Sequence, residues 1–341
     1  MNFIKNNMFA VGFLCAFFST QAMAESIFDA MGDAYNSNPL LLAERANSGA
    51  TNEDAAAARS GFRPSVSVGA SYTDSHAQTT GNRTIDGYRK GYSGAVKQSL
   101  FSGFQTYNSV KAADNAAKAE LNNLYEVEQS ILLASASAYL DVVRDQAIVK
   151  LQKNNEQLLK KQLDETLARF DVGEVTRTDV AQSRASYAQA RSDVISAEGN
   201  LAISQANYLD VVGHEPGDVK FPENLTDLFP ANYADSLRYA NDNNYALKAA
   251  QKSLKAAKHN VSSKKGALLP EVAFTASSGK NTLSSHTSRD PSTRSTEYVV
   301  DMSMPLYAGG ATRAAIRKSK YQRWAAQENL RAAEDSVKFN M

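Results

Sequence analysis

The amino-acid sequence predicts an α+β membrane protein that combines long α-helical coiled-coil hairpins with four β-strands in each protomer. Three observations support this fold class. Segments of the chain recur at a constant offset of 206 residues, residues 104–168 contain neither proline nor glycine, and residues 65–74 alternate between apolar and small polar side chains. Such features are typical of a repeated unit, a long helix and a two-sided strand, respectively.

The first 24 residues are typical of a Sec-type signal peptide. Lys5 precedes a short apolar run, MFAVGFLCAFF, and residues 22–24 (Ala-Met-Ala) fit a small-residue cleavage site. The run is too short to favour the alternative, a membrane anchor. We therefore expect cleavage before Glu25. Because Cys15 is the only cysteine, the processed chain would have no disulfide and no thiolate metal site.

The remaining composition is balanced. Lysine and arginine total 37 and the acidic residues total 36, and the basic stretch RAAIRKSKYQR is too broken for a nucleic-acid patch, so no nucleic-acid partner is expected. No later stretch has 18 consecutive apolar residues, so no transmembrane helix is expected. An exported chain of this kind is periplasmic, secreted, or an outer-membrane protein built on amphipathic strands.

The internal repeat pairs three segments of the chain in the same order. The pairs are SNPLLLAERA with NNYALKAAQK, AARSGFRPSVSVGASY with SKKGALLPEVAFTASS, and KQSLFSGFQT with SMPLYAGGAT. We interpret this as a tandem duplication. The predicted organisation is a first repeat at 25–213, a Pro-rich connector at 214–236 and an incomplete second repeat at 237–341.

Each copy is predicted to run helix, strand, loop, strand, helix. In the first copy a helix over 26–60 is terminated by Pro64, because proline and the residue before it disfavour helix continuation. A strand over 65–74, a polar loop over 75–90 and a strand over 92–101 follow.

The second copy repeats this pattern. Strands over 271–278 and 298–307 flank a Ser/Thr-rich loop. The paired glycines of YAGGATR lack the Lys-Ser/Thr ending of a phosphate loop, so a kink from strand to helix is favoured over a nucleotide site. The predicted strand–helix hinges are Pro64, Gly103, Pro270, Gly309 and Gly310.

The long helices form a predicted hairpin. Small and apolar side chains recur about every 3.5 residues, the coiled-coil period, through 104–168 and again through 180–211. At about 1.5 Å per residue the first arm would reach roughly 98 Å. Gly173 interrupts the pattern between the arms, and Gly213 ends the second arm as a C-terminal glycine does.

Four strands are too few to close a barrel in a membrane, where an open sheet edge leaves backbone groups unsatisfied. Three chains with four strands each would give a closed ring of twelve, with the helical hairpins packed side by side into an α-barrel. Several tyrosines at or near strand ends fit an interfacial girdle, although ordinary strand composition explains them nearly as well. They are Tyr72, Tyr88, Tyr92, Tyr298 and Tyr307.

These segments together resemble the TolC-like outer-membrane efflux proteins. The resemblance is carried by the duplicated helix opening, the SLFSG and PLYAGG strand exits, and the hairpin tip RFDVGEVTRTDV. It implies a homotrimeric conduit in the outer membrane of a Gram-negative bacterium, with a twelve-stranded β-barrel joined to a periplasmic α-barrel. It also implies a periplasmic adaptor (membrane fusion) protein and an inner-membrane transporter of the ABC, RND or MFS type as partners, besides outer-membrane lipid.

The resemblance also assigns roles at the tip. Gln162, Thr178 and Asp179 fall where the family has first-repeat residues of the network that closes the tube. Val172 and Gly173 fall where adaptors dock. The alternative for Thr178 and Asp179 is an N-cap of the returning helix, and the two roles are compatible.

The second copy is shorter than the resemblance requires. The repeat offset puts a second tip at about residue 379 and the end of its hairpin at about residue 419. We interpret the sequence as C-terminally truncated relative to the family, either a fragment or a truncated gene product. A missing hairpin would leave gaps in the helical wall, so the chain as printed is expected not to form SDS-resistant trimers.

The predicted function is a passive exit duct for an efflux pump or a type I secretion system. The alternative is a coiled-coil adhesin at the surface or in the periplasm, without a pore. No nucleophile–base constellation appears, so no enzyme activity and no cofactor are expected. The four histidines lack metal-ligand spacing, so no metal site is expected either; they are His76, His214, His259 and His286.

Overall fold

A computed structural model describes residues 25–79, 83–221, 233–285 and 292–339 of the chain. The predicted signal peptide lies outside these ranges, as do residues 222–232 of the predicted connector and the centre of the second-copy loop. The helices are α1 (Ile27–Ser37), α2 (Pro39–Ser60), α3 (Gln105–Asp171), α4 (Arg177–Val212), α5 (Tyr233–Asn243), α6 (Tyr245–Gly266) and α7 (Ala311–Phe339). The strands are β1 (Ser65–Thr79), β2 (Arg83–Ser102), β3 (Glu271–Ser285) and β4 (Ser292–Ser303).

The described residues divide into two compact units. The first lies within Met1–Asn38 and Ile131–Asn224, and the second within Pro39–Ser130 and Leu225–Met341. The first unit contains most of the helical hairpin, and the second contains the sheet. Among the described residues, no helix is both long and apolar enough to cross a bilayer.

The element bounds follow the repeat that is visible in the sequence. Helices α5 and α6 and strand β3 each begin and end 206 residues after α1, α2 and β1. The same offset relates the backbone after the second strand of each copy, where positive φ angles occur at 103 and 104 and again at 309 and 310. The two copies therefore share backbone conformation as well as sequence.

The strands form one antiparallel sheet in the order β1-β2-β3-β4. The first two strands are longer than the apolar alternation predicts, so the predicted loop at 75–90 was largely wrong. Residues 75–79 and 83–90 continue the ladder of backbone hydrogen bonds, and pairing runs out to Thr79 opposite Arg83. Backbone pairing needs no apolar side chains, which explains why the pattern ends before the strand does.

The remaining strand bounds also differ from the prediction. Strand β3 extends to Ser285, while β4 occupies 292–303 instead of 298–307. Pro305 cannot donate to a ladder, and residues 304–307 are outside the strand.

The predicted first helix over 26–60 is two helices. Asn38 has an extended conformation (ψ 122°) between them and caps α1, and Pro39 starts α2, a position that suits proline. The Ser37 hydroxyl and the Asn38 amide donate to the carbonyl oxygens of Val212 and Val211, each at 3.0 Å. The break therefore supplies partners for the last carbonyls of α4. Helix α2 ends at Ser60, before the predicted terminator Pro64.

The small and apolar positions predicted at the coiled-coil period through 180–211, here called the seam, are buried or half-buried. Five of them are buried in α4: Ala190, Val194, Ala197, Ser204 and Tyr208. In the core of the first unit, side chains from α1 and α3 pack with those of α4 around Tyr139 and Tyr208, which are both almost fully buried.

Two tyrosine hydroxyls in this core have polar partners. The Tyr139 hydroxyl lies 2.8 Å from the carbonyl oxygens of Glu25 and Lys220, and the Tyr208 hydroxyl donates to the Glu25 carboxylate. Burial is the main cause that raises the pKa of Tyr208 far above its ordinary value. The core is thus closed by satisfied hydroxyls and not by apolar contacts alone.

A buried carboxylate also joins the two arms of the hairpin. Asp145 on α3 accepts from the hydroxyl of Ser204 on α4 and from the Arg144 guanidinium at 2.8 Å. Its hydrogen bond from Arg144 holds the pKa of Asp145 below its usual value. The pair fixes which turn of α3 faces which turn of α4.

Candidate functional site

The hairpin tip is built from two complementary helix ends. Helix α3 stops at Asp171, and Gly173 has a φ of 81°, which glycine adopts without strain. The Gly173 N–H donates to the Phe170 carbonyl and the Glu174 N–H donates to the Arg169 carbonyl, each at 2.9 Å. This is the Schellman pattern of a helix C-terminus, so Gly173 permits the reversal that the sequence predicts.

The returning helix begins with a capping box centred on Thr176. The Thr176 hydroxyl accepts from the Asp179 N–H at 3.3 Å, and the Thr176 N–H donates to the Asp179 carboxylate at 2.8 Å. That backbone hydrogen bond is the largest cause that lowers the pKa of Asp179. The predicted cap at Thr178-Asp179 is corrected: Thr176 is the N-cap, and Asp179 is its partner three residues later.

The other predicted tip residues lie on the surface. Gln162, Thr178 and Gly173 are exposed, and Val172 has 73% of its surface exposed. The structure therefore groups Asp179 with Thr176, whereas Gln162 lies more than two turns before the tip along α3. The site assignments for Gln162, Val172, Gly173, Thr178 and Asp179 remain predictions.

Sequence reasoning missed three features of the tip: an ion pair, a contact between two hydroxyls, and the cap at Thr176. The Arg169 guanidinium pairs with the Glu174 carboxylate at 3.1 Å across the turn, and the Thr166 and Ser183 hydroxyls lie 3.2 Å apart between the arms. The spacing T-x-x-D at residues 176–179 is a capping-box pattern and could have revealed Thr176. No local pattern indicates the contact between Thr166 and Ser183, since it depends on the registry of the arms.

The strand–helix hinges have unusual backbone conformations. Gly103 and Phe104 follow β2 with φ angles of 59° and 61°, while Gly309 and Gly310 follow β4 with 59° and 86°. Phe104 is the one non-glycine residue of positive φ in the described chain, a conformation that costs free energy. Its ring packs edge-on against Phe101 at 5.2 Å between centroids.

A close backbone contact fixes the first of these hinges. A Cβ atom added to Gly103 would lie 2.3 Å from the Gly266 carbonyl oxygen, and one added to Gly266 would lie 2.3 Å from the Gly103 carbonyl oxygen. Pro64 and Pro270 stand directly before β1 and β3 instead of ending the helices. The hinges therefore combine left-handed glycines with strand-entry prolines, and a hinge role for these residues remains a prediction.

One histidine lies against two carboxylates, which its sequence spacing did not indicate. His214 Nε2 is 3.2 Å from the Asp33 carboxylate and 3.7 Å from the Glu25 carboxylate, and the three groups have the composition of a possible metal site. The ring Nδ1 lies 2.8 Å from the Glu215 carbonyl oxygen. Because a carbonyl oxygen only accepts hydrogen bonds, Nδ1 must carry a proton.

The charges of this cluster favour a doubly protonated ring. With Nδ1 donating, an unprotonated Nε2 would point a lone pair at two carboxylates. The hydrogen bond to the Glu215 carbonyl is the largest cause that raises the pKa of His214, and the carboxylates act in the same direction. We interpret the cluster as an ion-paired clasp between α1 and the residues after α4.

The sheet presents one apolar and one polar face. Directly paired residues share a face, and one row across the four strands is Val66, Val96, Ala276 and Tyr298. The opposite face has mainly glycine, serine, threonine and asparagine near the sheet centre. Exposed side chains of the apolar face are Val66, Val68, Tyr72, Tyr92, Tyr298, Val300 and Met302.

The sheet has one exposed apolar face and is joined to helices of up to 67 residues. This combination is typical of envelope proteins in which membrane strands are joined to helical conduits. The chain matches the family model described as "Outer membrane efflux protein" over residues 30–214 and 237–337. It belongs to this family, as the resemblance predicts.

Known relatives agree with this assignment. The chain is 34% identical to outer membrane efflux protein BepC of Brucella suis, over 93% of this chain and 68% of that protein. It is 26% identical to outer membrane protein TolC of Escherichia coli, over 96% of this chain and 68% of that protein. Its fold matches the CmeC outer membrane channel of Campylobacter jejuni with a TM-score of 0.80 at 12% identity, over 91% of this chain and 68% of that chain.

The predicted fold class and function are confirmed by these findings. The chain is an outer-membrane efflux channel of a Gram-negative bacterium, of the kind that serves efflux pumps and type I secretion systems. The family is a family of transport ducts and not of enzymes.

Proposed function

We propose that three copies of the protein expressed from its complete gene form one conduit, with a twelve-stranded barrel in the outer membrane and the hairpins forming a periplasmic tube. The single observation that supports this most is the open four-stranded sheet. Its edge strands, β1 and β4, have no strand partner on their outer sides within the described part of the chain. In lipid such edges must be paired, and a second and third copy supply the partners.

The face pattern of the sheet supports the same assembly. The apolar face would meet lipid, and the small polar side chains of the other face would line a water-filled lumen. The duct then needs no reactive group of its own, because transport depends on the width and charge of the lumen. Cargo selection would lie with the inner-membrane transporter.

The hairpin tip is the proposed docking and gating surface. Val172 and Gly173 are exposed at its extremity and would contact a periplasmic adaptor protein, which in turn binds the inner-membrane transporter. Gln162, Thr178 and Asp179 would contact neighbouring hairpins. The Schellman turn and the capping box hold this short surface rigid, which suits a recognition site.

Conductance in planar bilayers tests the proposal. The protein expressed from its complete gene and purified in detergent is expected to form SDS-resistant trimers and to give discrete conductance steps. A protein that binds cells or surfaces but gives no conductance would instead support the adhesin alternative. Single-residue changes at the tip that alter conductance without loss of trimers would support the gating role.

A further inference from the structure

Three basic side chains lie on the apolar face of the sheet, toward the strand ends farthest from the helices. Lys90 on β2 pairs with Tyr72 on β1, and Lys280 on β3 pairs both with Tyr92 on β2 and with Arg294 on β4. We call Lys90, Lys280 and Arg294 the basic patch. Lys90 and Lys280 thus each lie opposite a tyrosine of a neighbouring strand, and Lys280 also lies opposite Arg294 on the same face.

Aromatic rings hold one of these cations on the apolar face. The Lys90 ammonium lies 4.7 Å from the ring centroid of Tyr88 and 5.8 Å from that of Tyr72. The two rings stack at 6.0 Å between centroids. A lysine held by two tyrosine rings is directed along the surface of the sheet and not toward the opposite face.

The position of the patch matches the outer boundary of the apolar band. Lys280 lies eight residues along β3 from Val272, which begins the apolar rows. That is about 26 Å along the strand, and about 20 Å of height for a strand tilted by roughly 40°. A lipid-facing band is about 25 Å tall, so the basic patch lies where hydrocarbon gives way to headgroups.

Among the described side chains of this face, cations outnumber anions. Among the side chains that the structure describes on this face, the acidic one is Asp74, which lies 3.9 Å from His76 Nε2. Cations at the edge of hydrocarbon are costly unless anionic groups are near them. Phosphate groups of lipids are the anions available at that level.

We infer that the basic patch binds the phosphate groups of a phosphorylated glycolipid in the outer leaflet. This inference rests on the proposed function, since it requires the apolar face to meet lipid and the helices to lie on the periplasmic side. Three cations on adjacent strands suit a headgroup with more than one phosphate. The neighbouring tyrosines present ring faces and hydroxyls that suit its sugars.

The test compares lipid retention by the protein expressed from its complete gene. Trimers are reconstituted in vesicles of phosphatidylethanolamine with either bisphosphorylated lipid A or phosphatidylglycerol, then extracted, and native mass spectrometry counts the lipids that remain bound. The wild type is expected to retain lipid A in preference to phosphatidylglycerol. Each cation removed from the patch is expected to weaken retention about fivefold.

The opposite face of the same strand supplies a matched control. Arg89 and Lys97 on β2 pair with Thr73 and Ser65 and lie on the polar face. The variant Lys90→Gln, Lys280→Gln, Arg294→Gln should lose lipid A, while Arg89→Gln, Lys97→Gln should retain it. High salt should reduce retention by the wild type toward the level of the triple variant.

Conductance separates the two ways of failing. A triple variant that conducts and retains as much lipid A as the wild type would overturn the basic patch and leave the duct intact. A wild type that conducts but prefers phosphatidylglycerol would also overturn it. A wild type that neither inserts nor conducts would refute the proposed function, and the inference with it.

Discussion

At the residue scale, His214 is a half-buried residue after α4 that forms an ion-paired cluster with Asp33 and Glu25. Its Nδ1 donates to the Glu215 carbonyl, so its second nitrogen must be protonated to suit the carboxylates of Asp33 and Glu25. The raised pKa follows from these contacts. The clasp joins α1 to the segment after α4, beside the buried hydroxyl of Tyr208, whose ring packs edge-on against the His214 ring.

The stability contributed by His214 should depend on pH. Its folded pKa is raised, so the contribution is fully present below the unfolded pKa of about 6.5 and is lost as pH rises through the folded pKa. His214→Gln should therefore lower the melting temperature more at about pH 5.5 than at about pH 8.5. Thermal unfolding followed by circular dichroism measures the difference.

His259→Gln is the control, because His259 contacts the Asn108 amide and no carboxylate in the described structure. The pH dependence of His214→Gln is compared with that of His259→Gln. A pH-independent effect of His214→Gln would contradict the assignment of a charged ring.

At the scale of elements, the ends of the helices determine the fold as much as their interiors do. The tip combines a glycine turn with a capping box, and the strand–helix hinges combine left-handed residues with a close backbone contact. The tip redirects the chain within a few residues, whereas the hinge contact joins Gly103 and Gly266, which lie far apart in the sequence. Predictions for each concern local stability and not catalysis.

The capping box predicts different effects for two threonines in the same turn. Thr176→Val should remove the cap of α4 and cost about 1 kcal/mol of local stability. Thr178→Val should cost little, because Thr178 lies exposed in the first turn and does not cap it. Hydrogen exchange of the first α4 amides measures both. Equal loss of protection in the two variants would show that the cap is assigned wrongly.

The hinge at Gly266 predicts a steric effect. Gly266→Ala would place a Cβ atom 2.3 Å from the Gly103 carbonyl oxygen, and overpacking of this kind costs about 1–3 kcal/mol. Gly49→Ala in α2 meets open space within the chain and should stabilise the helix by about 0.5–1 kcal/mol. The temperature at which each variant loses its folded band on an SDS gel ranks the two variants by stability. A neutral Gly266→Ala variant would show that the contact is not tight.

At the scale of the whole molecule, the duplication specifies how neighbouring copies would pair. In the duplication, β2 of the first copy corresponds to β4 of the second, and β3 corresponds to β1. The register of the β2–β3 pair therefore predicts the register of β4 with the β1 strand of a neighbouring protomer, after each residue number is shifted by 206. Ala95 pairs with Ser277, which transfers to Asp301 opposite Ser71 of the neighbour.

Cysteine crosslinking tests that register. Cys15 is the only cysteine of this sequence and lies within the predicted signal peptide, so introduced cysteines have no competitor within residues 25–341. Asp301→Cys with Ser71→Cys should give crosslinked trimers on oxidation. Asp301→Cys with Ala70→Cys should crosslink poorly, because adjacent residues point to opposite faces. Efficient crosslinking of the second pair alone would contradict the transferred register.

The sequence by itself determined the duplication, the two-sided strands and the hairpin. These depend on local periodicity and on Gly173 and Gly213, whose left-handed φ angles follow from the lack of a side chain. It also indicated the family, through motifs that keep their order and spacing. The seam residues Ala190, Val194 and Ala197 could be predicted because burial follows the helical period.

The tertiary structure alone decided the strand ends, the break at Asn38 and the partners of Thr166, Asp145 and His214. Strands extend beyond the apolar pattern because backbone hydrogen bonds, not side chains, hold their outer parts together. The other contacts join residues far apart in the chain, such as Asp33 and His214, and no local periodicity encodes such a distance. Only the three-dimensional packing of the helices brings these groups within hydrogen-bonding range.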